Sequence, residues 1–289
     1  MLPAMAHRPR VAIVGAGNLG AALALSLHAA HYEIGVVLAR SRGASLAKTR
    51  RLAARVGAQA SPNLSTSSDE LVWFCVPDSE IARVAGLAAK QVEWKGRVAF
   101  HSSGVLTSDE LVTLRNAGAA VASVHPLMTF VGGSHPSFKA VSFAIEGDAA
   151  AVRVARRVVR DLGGMPRSIR KADKAAYHAW GTFVSPLLTA LLATAERVAS
   201  LAGVKKSGAA RRMLPILRQT LDNYANYGAA RGFSGPILRG DVETVSRHLR
   251  TLRRTPVIRE VYSSLVKASL QYLPARNRKQ LMRILDSAD

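Results

Sequence analysis

The chain of 289 residues is 48% hydrophobic and 20% charged, with a formal net charge of +21. This describes a soluble globular protein long enough for one large domain or two moderate ones. A single cysteine, Cys75, excludes an intramolecular disulfide and fits a reducing cytoplasm; no signal-peptide pattern is visible, and the weakly polar run Gly181–Ala195, which contains Pro186, is too short to span a bilayer.

The charge is unevenly placed. Residues 1–148 hold 14 basic and 10 acidic side chains, whereas residues 149–289 hold 26 and 9. The excess is dispersed in pairs such as Arg156-Arg157, Lys205-Lys206 and Arg253-Arg254, with no dense tract interleaved with aromatics. A solvated basic surface is the first reading, a field that draws in anionic cofactor and substrate the second, and a nucleic-acid face the weakest.

Val11–Val14 reads as a strand that runs through Gly15-Ala16-Gly17-Asn18-Leu19-Gly20 into a helix over Asn18–Ala30. In that setting Gly15 serves the tight turn, Gly17 lets the backbone approach a pyrophosphate, and Gly20 lets helix and strand pack closely. The helix N-terminus, at Asn18 and Leu19, presents N–H groups to phosphate. Ile34–Ala39 completes a βαβ unit. Where NAD-preferring proteins place Asp or Glu after this strand, the chain has Arg40-Ser41-Arg42, whose forked guanidinium donors suit a 2′-phosphate. The expected cofactor is NADP, with NAD less suited.

Ala44–Val56 reads as a helix, Ala58–Ala60 as a short strand, and Leu71–Val76 as a buried central strand. The turn Val76-Pro77-Asp78 then leads the chain past the cofactor into a helix over Glu80–Lys90. Strands at Arg97–His101, Ala120–Val124, Val141–Ile145 and Pro166–Ile169, with helices at Asp109–Ala117 and Ala149–Leu162, extend the α/β pattern. Ligands of open α/β sheets lie outside the carboxyl ends of strands. Gly15, Arg40, Pro77, His101, Ser102 and His125 all fall at such ends. From Lys171 only helical spacing remains: Lys171–Ala202, Ser207–Tyr227, Asp241–Arg253, Thr255–Tyr272 and Asn277–Leu285.

Lys174 and His178, four residues apart, share a helix face and are candidate proton-transfer groups, together with His101. Each also has a structural reading, as a solvated lysine or a packing histidine. Ser102, Ser103 and His125 are candidate substrate binders; the serines also suit a capping turn. In Gly235-Pro236-Ile237-Leu238-Arg239-Gly240-Asp241, Asp241 is the stronger helix cap and Arg239 a candidate for an anionic substrate. No metal site is expected, since neither HExxH nor clustered carboxylates occur.

With these residues laid out, the chain resembles a group of Rossmann-like oxidoreductases that pair an N-terminal NADP-binding domain with a C-terminal helical domain of unassigned function. The resemblance runs from the glycine loop through His101-Ser102-Ser103-Gly104 and His125-Pro126 to Tyr177-His178 and the Gly235–Asp241 stretch. The wider superfamily is similar to pyrroline-5-carboxylate reductase, 3-hydroxyacid dehydrogenases and deazaflavin-dependent NADP reductase. It implies hydride transfer and a helical domain that also makes a homodimer. Two departures stand out. Lys174 is followed one turn later by His178, where 3-hydroxyacid dehydrogenases have Asn, and Pro186 stands where the closer group often has Asn. The expectation is an α/β chain: a Rossmann-type parallel-sheet domain over 1–170, then an all-α substrate and dimerisation domain over 171–289. It would be a cytoplasmic NADP-dependent oxidoreductase of a small polar, anionic C=O or C=N compound, with neither membrane nor nucleic acid as a partner. The alternative is an NADP-binding sensor without turnover.

Overall fold

The computed structural model describes residues 7–38, 44–65, 67–132, 134 and 136–286. Continuous apolar runs make the centre of the sheet, and the short polar strands Gln59–Ser61 and Met165–Ser168 make its edges. Val11–Val14 (β1), Ile34–Leu38 (β2), Gln59–Ser61 (β3), Leu71–Phe74 (β4), Val98–His101 (β5), Ala120–Pro126 (β6), Ser142–Gly147 (β7) and Met165–Ser168 (β8) pair in the order β3-β2-β1-β4-β5-β6-β7-β8. All pairings are parallel except that of β6 with β7. Every residue of β1, β2, β4 and β5 is buried, as a sheet covered on both faces requires.

The side-chain alternation of each strand divides the core in two. Val11, Ile13, Trp73 and Phe100 pack on one face, with helices Asn18–Ala29 (α1), Ala44–Arg55 (α2) and Ala149–Asp161 (α5). Ala12, Val14, Val72 and Phe74 pack on the other, with Ile81–Ala88 (α3) and Val112–Asn116 (α4). Register then aligns Leu38, Val14, Phe74, His101 and Ser123 in one row across the sheet near its carboxyl edge.

The chain divides into two compact units at Ser185/Pro186. The strand pattern ends near residue 170, but the next helix, Lys174–Val184 (α6), stays with the sheet because the Lys174 side chain is buried in it. The helix expected over Lys171–Ala202 is two. Pro186 has no N–H and disfavours helical backbone before it. Ser185 accordingly leaves the helix at φ −128°, ψ −82°, and a new one begins at Pro186–Leu201 (α7). By length and composition alone, the stretch Lys171–Leu201 passes for a membrane span, since it holds an 18-residue window of mean hydropathy 1.2; the apolar run Gly181–Ala195 expected from the sequence covers less of it.

The second unit continues with Lys206–Gly232 (α8), kinked at Gly228, then Pro236–Arg239 (α9), Val242–Thr251 (α10), Pro256–Tyr272 (α11) and Arg278–Asp286 (α12). Val245, Leu249, Val266, Leu270, Leu281 and Leu285 form its core between α10, α11 and α12. The Gly235–Asp241 stretch folds as its composition dictates. Pro236 opens α9, Gly240 closes it in the left-handed region at φ 67°, and Asp241 caps α10 by accepting the Thr244 N–H at 3.0 Å.

The glycine loop separates stability from access. A Cβ on Gly20 would collide with the Gly15 carbonyl oxygen, and one on Gly15 (φ +108°) would lie 2.6 Å from the Cys75 carbonyl oxygen, but one on Gly17 would meet nothing within 4 Å. Gly20→Ala should therefore lose about 3 kcal/mol in urea unfolding, whereas Gly17→Ala should stay within about 0.5 kcal/mol of the parent.

Candidate functional site

The candidate cofactor residues Gly15, Gly17, Val76 and Pro77 come together at the carboxyl ends of β1 and β4, where strand order reverses and such sheets bind ligands. They line a pocket of ≈ 780 Å³ with Leu38, Ser45, Lys48 and Arg83. Gly17 is the N-cap of α1, in an extended conformation and with no side-chain capping bond. The first turn of α1 also holds no acidic residue. Its free N–H groups and partial positive charge therefore suit an anion. Leu19 packs against the core, and the Asn18 amide donates to the Phe130 carbonyl at 3.2 Å, tying the segment after β6 to the loop. Arg40, Ser41 and Arg42 lie outside the described residues. Ser45 and Lys48, on α2, belong to no motif; their sequence signal is position just after the βαβ unit.

The second cluster lies at the ends of β5 and β6. His101 is fully buried, and both ring nitrogens are engaged. Its Nδ1 accepts the Ser103 N–H at 3.1 Å, so Nε2 carries the proton and donates to the Thr107 carbonyl at 2.9 Å. Burial is the main cause that pulls its pKa to about 4, aided by the nearby Lys174 charge, with the Thr107 bond opposing. With both nitrogens engaged, the ring of this expected proton-transfer residue braces the turn. Ser103 is likewise occupied. Its hydroxyl donates to Asp78 at 2.7 Å and accepts the Val105 and Leu106 N–H groups, which is the capping reading. Ser102 Oγ accepts the Trp73 indole N–H at 2.8 Å and is only partly buried.

Lys174 is 1% exposed. Its Nζ donates to the Ser103 carbonyl at 3.1 Å and to Ser123 Oγ at 2.8 Å, pinning the first turn of α6 to both strand ends. Burial lowers its pKa, against the pull of Glu146 and Asp78. Glu146, unremarked in the sequence, is buried on β7 and accepts the Ser108 N–H at 2.7 Å and the Ser108 hydroxyl at 2.8 Å.

His125 is partly buried, two residues beyond Ser123 on the same face of β6. Its ring meets Tyr177 and His178 edge to face, at centroid distances of 5.7 and 5.9 Å. Gly104 makes room for both histidines. A Cβ there would overlap His178 and lie 2.9 Å from His125 Nε2. Burial first, then the nearby Lys174 charge, lowers the His125 pKa to about 4. His178 itself is exposed. The sheet thus brings together Lys174, His178, His125 and the His101–Gly104 turn. Arg239 belongs to the second unit, exposed on α9 beside the Asp241 cap. The described residues contain no cluster of three or more metal-ligating side chains.

His101 and His125 are held neutral to about pH 4, while an unperturbed histidine protonates near 6.5. Their contribution to stability is full above pH 6.5 and is lost as pH falls from there toward 4, because the unfolded chain takes up protons first. Each should cost about 2 kcal/mol between pH 7 and pH 5. Urea unfolding at those two values should show His101→Gln less acid-sensitive than the parent by that amount.

Residues 4–126 match a Rossmann-like domain, and residues 141–269 match a domain of unknown function, DUF2520. No curated protein matches the chain in sequence. Among solved structures, a Bacteroides fragilis protein bearing the name NADP oxidoreductase is 19% identical with TM-score 0.74, over 90% of this chain and 97% of its own. A Coxiella burnetii pyrroline-5-carboxylate reductase is 12% identical with TM-score 0.60, over 98% of each. An Aspergillus terreus reductive aminase, in complex with NADPH and ethyl-5-oxohexanoate, is 16% identical with TM-score 0.63, over 92% and 94%. At identities this low, the TM-scores show a shared fold.

Proposed function

We propose that the chain is an NADP-dependent oxidoreductase acting on a small polar, anionic C=O or C=N compound. The observation that carries this is Gly17. It stands at an uncapped helix N-terminus, beside the ≈ 780 Å³ pocket at the strand-order reversal, with its missing side chain facing open space. A dinucleotide pyrophosphate fits that loop, held by the backbone from Gly15 to Gly20. Arg40, Ser41 and Arg42, with Ser45 and Lys48 on the pocket wall, suit the 2′-phosphate, and Val76 and Pro77 form the wall beyond. When bound, NADPH supplies a hydride equivalent.

The chain's own groups prepare the neighbouring strand ends. Lys174 holds the Ser103 carbonyl and Ser123, and His101 braces the turn, so Ser102, Gly104 and His125 sit on a fixed platform. His178, exposed beside His125, is placed to exchange protons with water. The names of the structural neighbours agree with this reading, as does the basic excess of the C-terminal half, which would attract an anionic substrate and cofactor. A reducing cytoplasm suits the lone cysteine. NADPH binding without turnover of any carbonyl or imine would instead favour the sensor reading.

Calorimetry should find NADPH binding to the parent, reduced at least ~100-fold in Gly17→Glu. Arg40→Ala with Arg42→Ala should lower NADPH affinity by about tenfold and leave NADH affinity nearly unchanged. No measurable NADPH binding to the parent would end the proposal.

The second unit supports a homodimer. Leu187, Leu191 and Leu201 of α7, and Leu214, Ile216, Leu221 and Tyr224 of α8, are exposed in the single chain, more apolar surface than a monomer usually leaves open. Light scattering should give a mass twice the 30.8 kDa of one chain, and Ile216→Arg with Leu221→Arg should give the monomer.

A further inference from the structure

Among the described residues, four buried side-chain polar atoms lack a hydrogen-bond partner: Arg10 Nε, Asp69 Oδ1, His125 Nδ1 and Tyr177 Oη. The first two answer each other as an ion pair at 3.4 Å, at the amino ends of β1 and β4. The other two lie at the opposite edge of the sheet. Tyr177 and His125 pack edge to face, with ring planes at 87°, and neither polar atom has anything to bond.

A buried hydroxyl left unsatisfied costs roughly 1–3 kcal/mol, and phenylalanine would fill the same space without it. Tyr177 follows Lys174 by three residues on α6, so the two share a face. The other buried protic groups nearby are engaged. Lys174 donates to Ser103 and Ser123, Ser103 to Asp78, and His101 to Thr107. The Tyr177 hydroxyl donates to nothing.

We propose that Tyr177 is the catalytic proton donor of this site and that His125 Nδ1 is a second polar anchor for the substrate. The inference rests on the oxidoreductase reading above. Tyr177 Oη donates a hydrogen bond to the carbonyl oxygen or imine nitrogen. As the substrate carbon gains its hydride, the Tyr177 O–H bond breaks and an H–O or H–N bond forms on the substrate. The phenolate left behind recovers its proton from water after product release. Burial raises the phenol to about 12, so the proton stays on Tyr177 until a stronger base, the nascent alkoxide or amide anion, forms beside it.

Tyr177→Phe keeps the ring against His125 and Trp180 and removes only the orphan hydroxyl. Its urea midpoint should equal or exceed that of the parent, and its NADPH affinity should be unchanged. NADPH oxidation with pyruvate, cyclohexanone and 1-pyrroline as probes should fall at least ~100-fold in kcat for whichever the parent reduces. In the NADP+-loaded protein, probe binding seen by ligand-detected NMR should weaken about tenfold. His125→Leu should raise KM more than it lowers kcat. A lower midpoint for Tyr177→Phe with unchanged kcat would assign the hydroxyl a structural role and overturn the proposal. So would a parent protein that loads NADPH yet neither binds nor reduces any of the three probes. Failure to bind NADPH, read in its own titration, strikes the cofactor reading beneath it.

Discussion

Gly20 packed against the Gly15 carbonyl is the contact on which the α/β unit depends. No side chain fits between them, so the first turn of α1 sits directly on the end of β1 and beside Cys75 of the segment after β4. That closeness brings the uncapped N–H groups of α1 to the crevice where β2 and β3 lie on one side and β4 onward on the other. The left-handed backbone of Gly15 makes the turn that short. Gly17, between them, touches nothing. Of the three glycines in these six residues, two bring helix and strand together, and the third keeps the resulting face open.

The sheet is legible in the sequence because β1, β2 and β4 are uninterrupted apolar runs, the mark of a parallel sheet covered on both faces. Element ends are less legible, since they depend on turn geometry. Residues 171–202 show why. Their apolar spacing continues across Pro186, but the missing N–H breaks the helix at Ser185. Strand patterns stop near 170, whereas packing divides the chain at Ser185/Pro186, because the buried Lys174 ties α6 to the strands. In the Gly235–Asp241 stretch the Asp241 cap is readable, since an aspartate before a helix is a local preference, whereas the short helix over Pro236–Arg239 stands where the sequence reads as a turn.

The site is legible as a place more than as chemistry. That His101, Ser102 and His125 gather at strand ends follows from strand positions alone. Whether a histidine is free to carry a proton depends on what its two nitrogens meet, and for His101 one partner is a carbonyl six residues onward, past a turn. Glu146 gives no sequence signal, because its partner Ser108 is near only in the antiparallel β6–β7 fold. Tyr177 is visible as a neighbour of Lys174 and His178, but its unpaired hydroxyl is a property of three-dimensional packing.

Polar satisfaction at the carboxyl edge gives these placements their meaning. His101, Ser103, Ser108, Ser123, Glu146 and Lys174 are buried, and each has a partner. Such a network is rigid, because losing any member leaves another buried group unpaired. It fixes the turn after β5 and the start of α6 without using the face they present. A fold able to satisfy six buried polar residues here could as readily have omitted one hydroxyl. Retaining Tyr177 Oη unpaired beside an unpaired His125 Nδ1 lowers stability with no compensating contact within the protein. Natural proteins accept such local losses mainly at functional sites. The rigid network and the two idle atoms therefore form one arrangement, in which structure is complete and the remaining hydrogen bonds are left for a substrate.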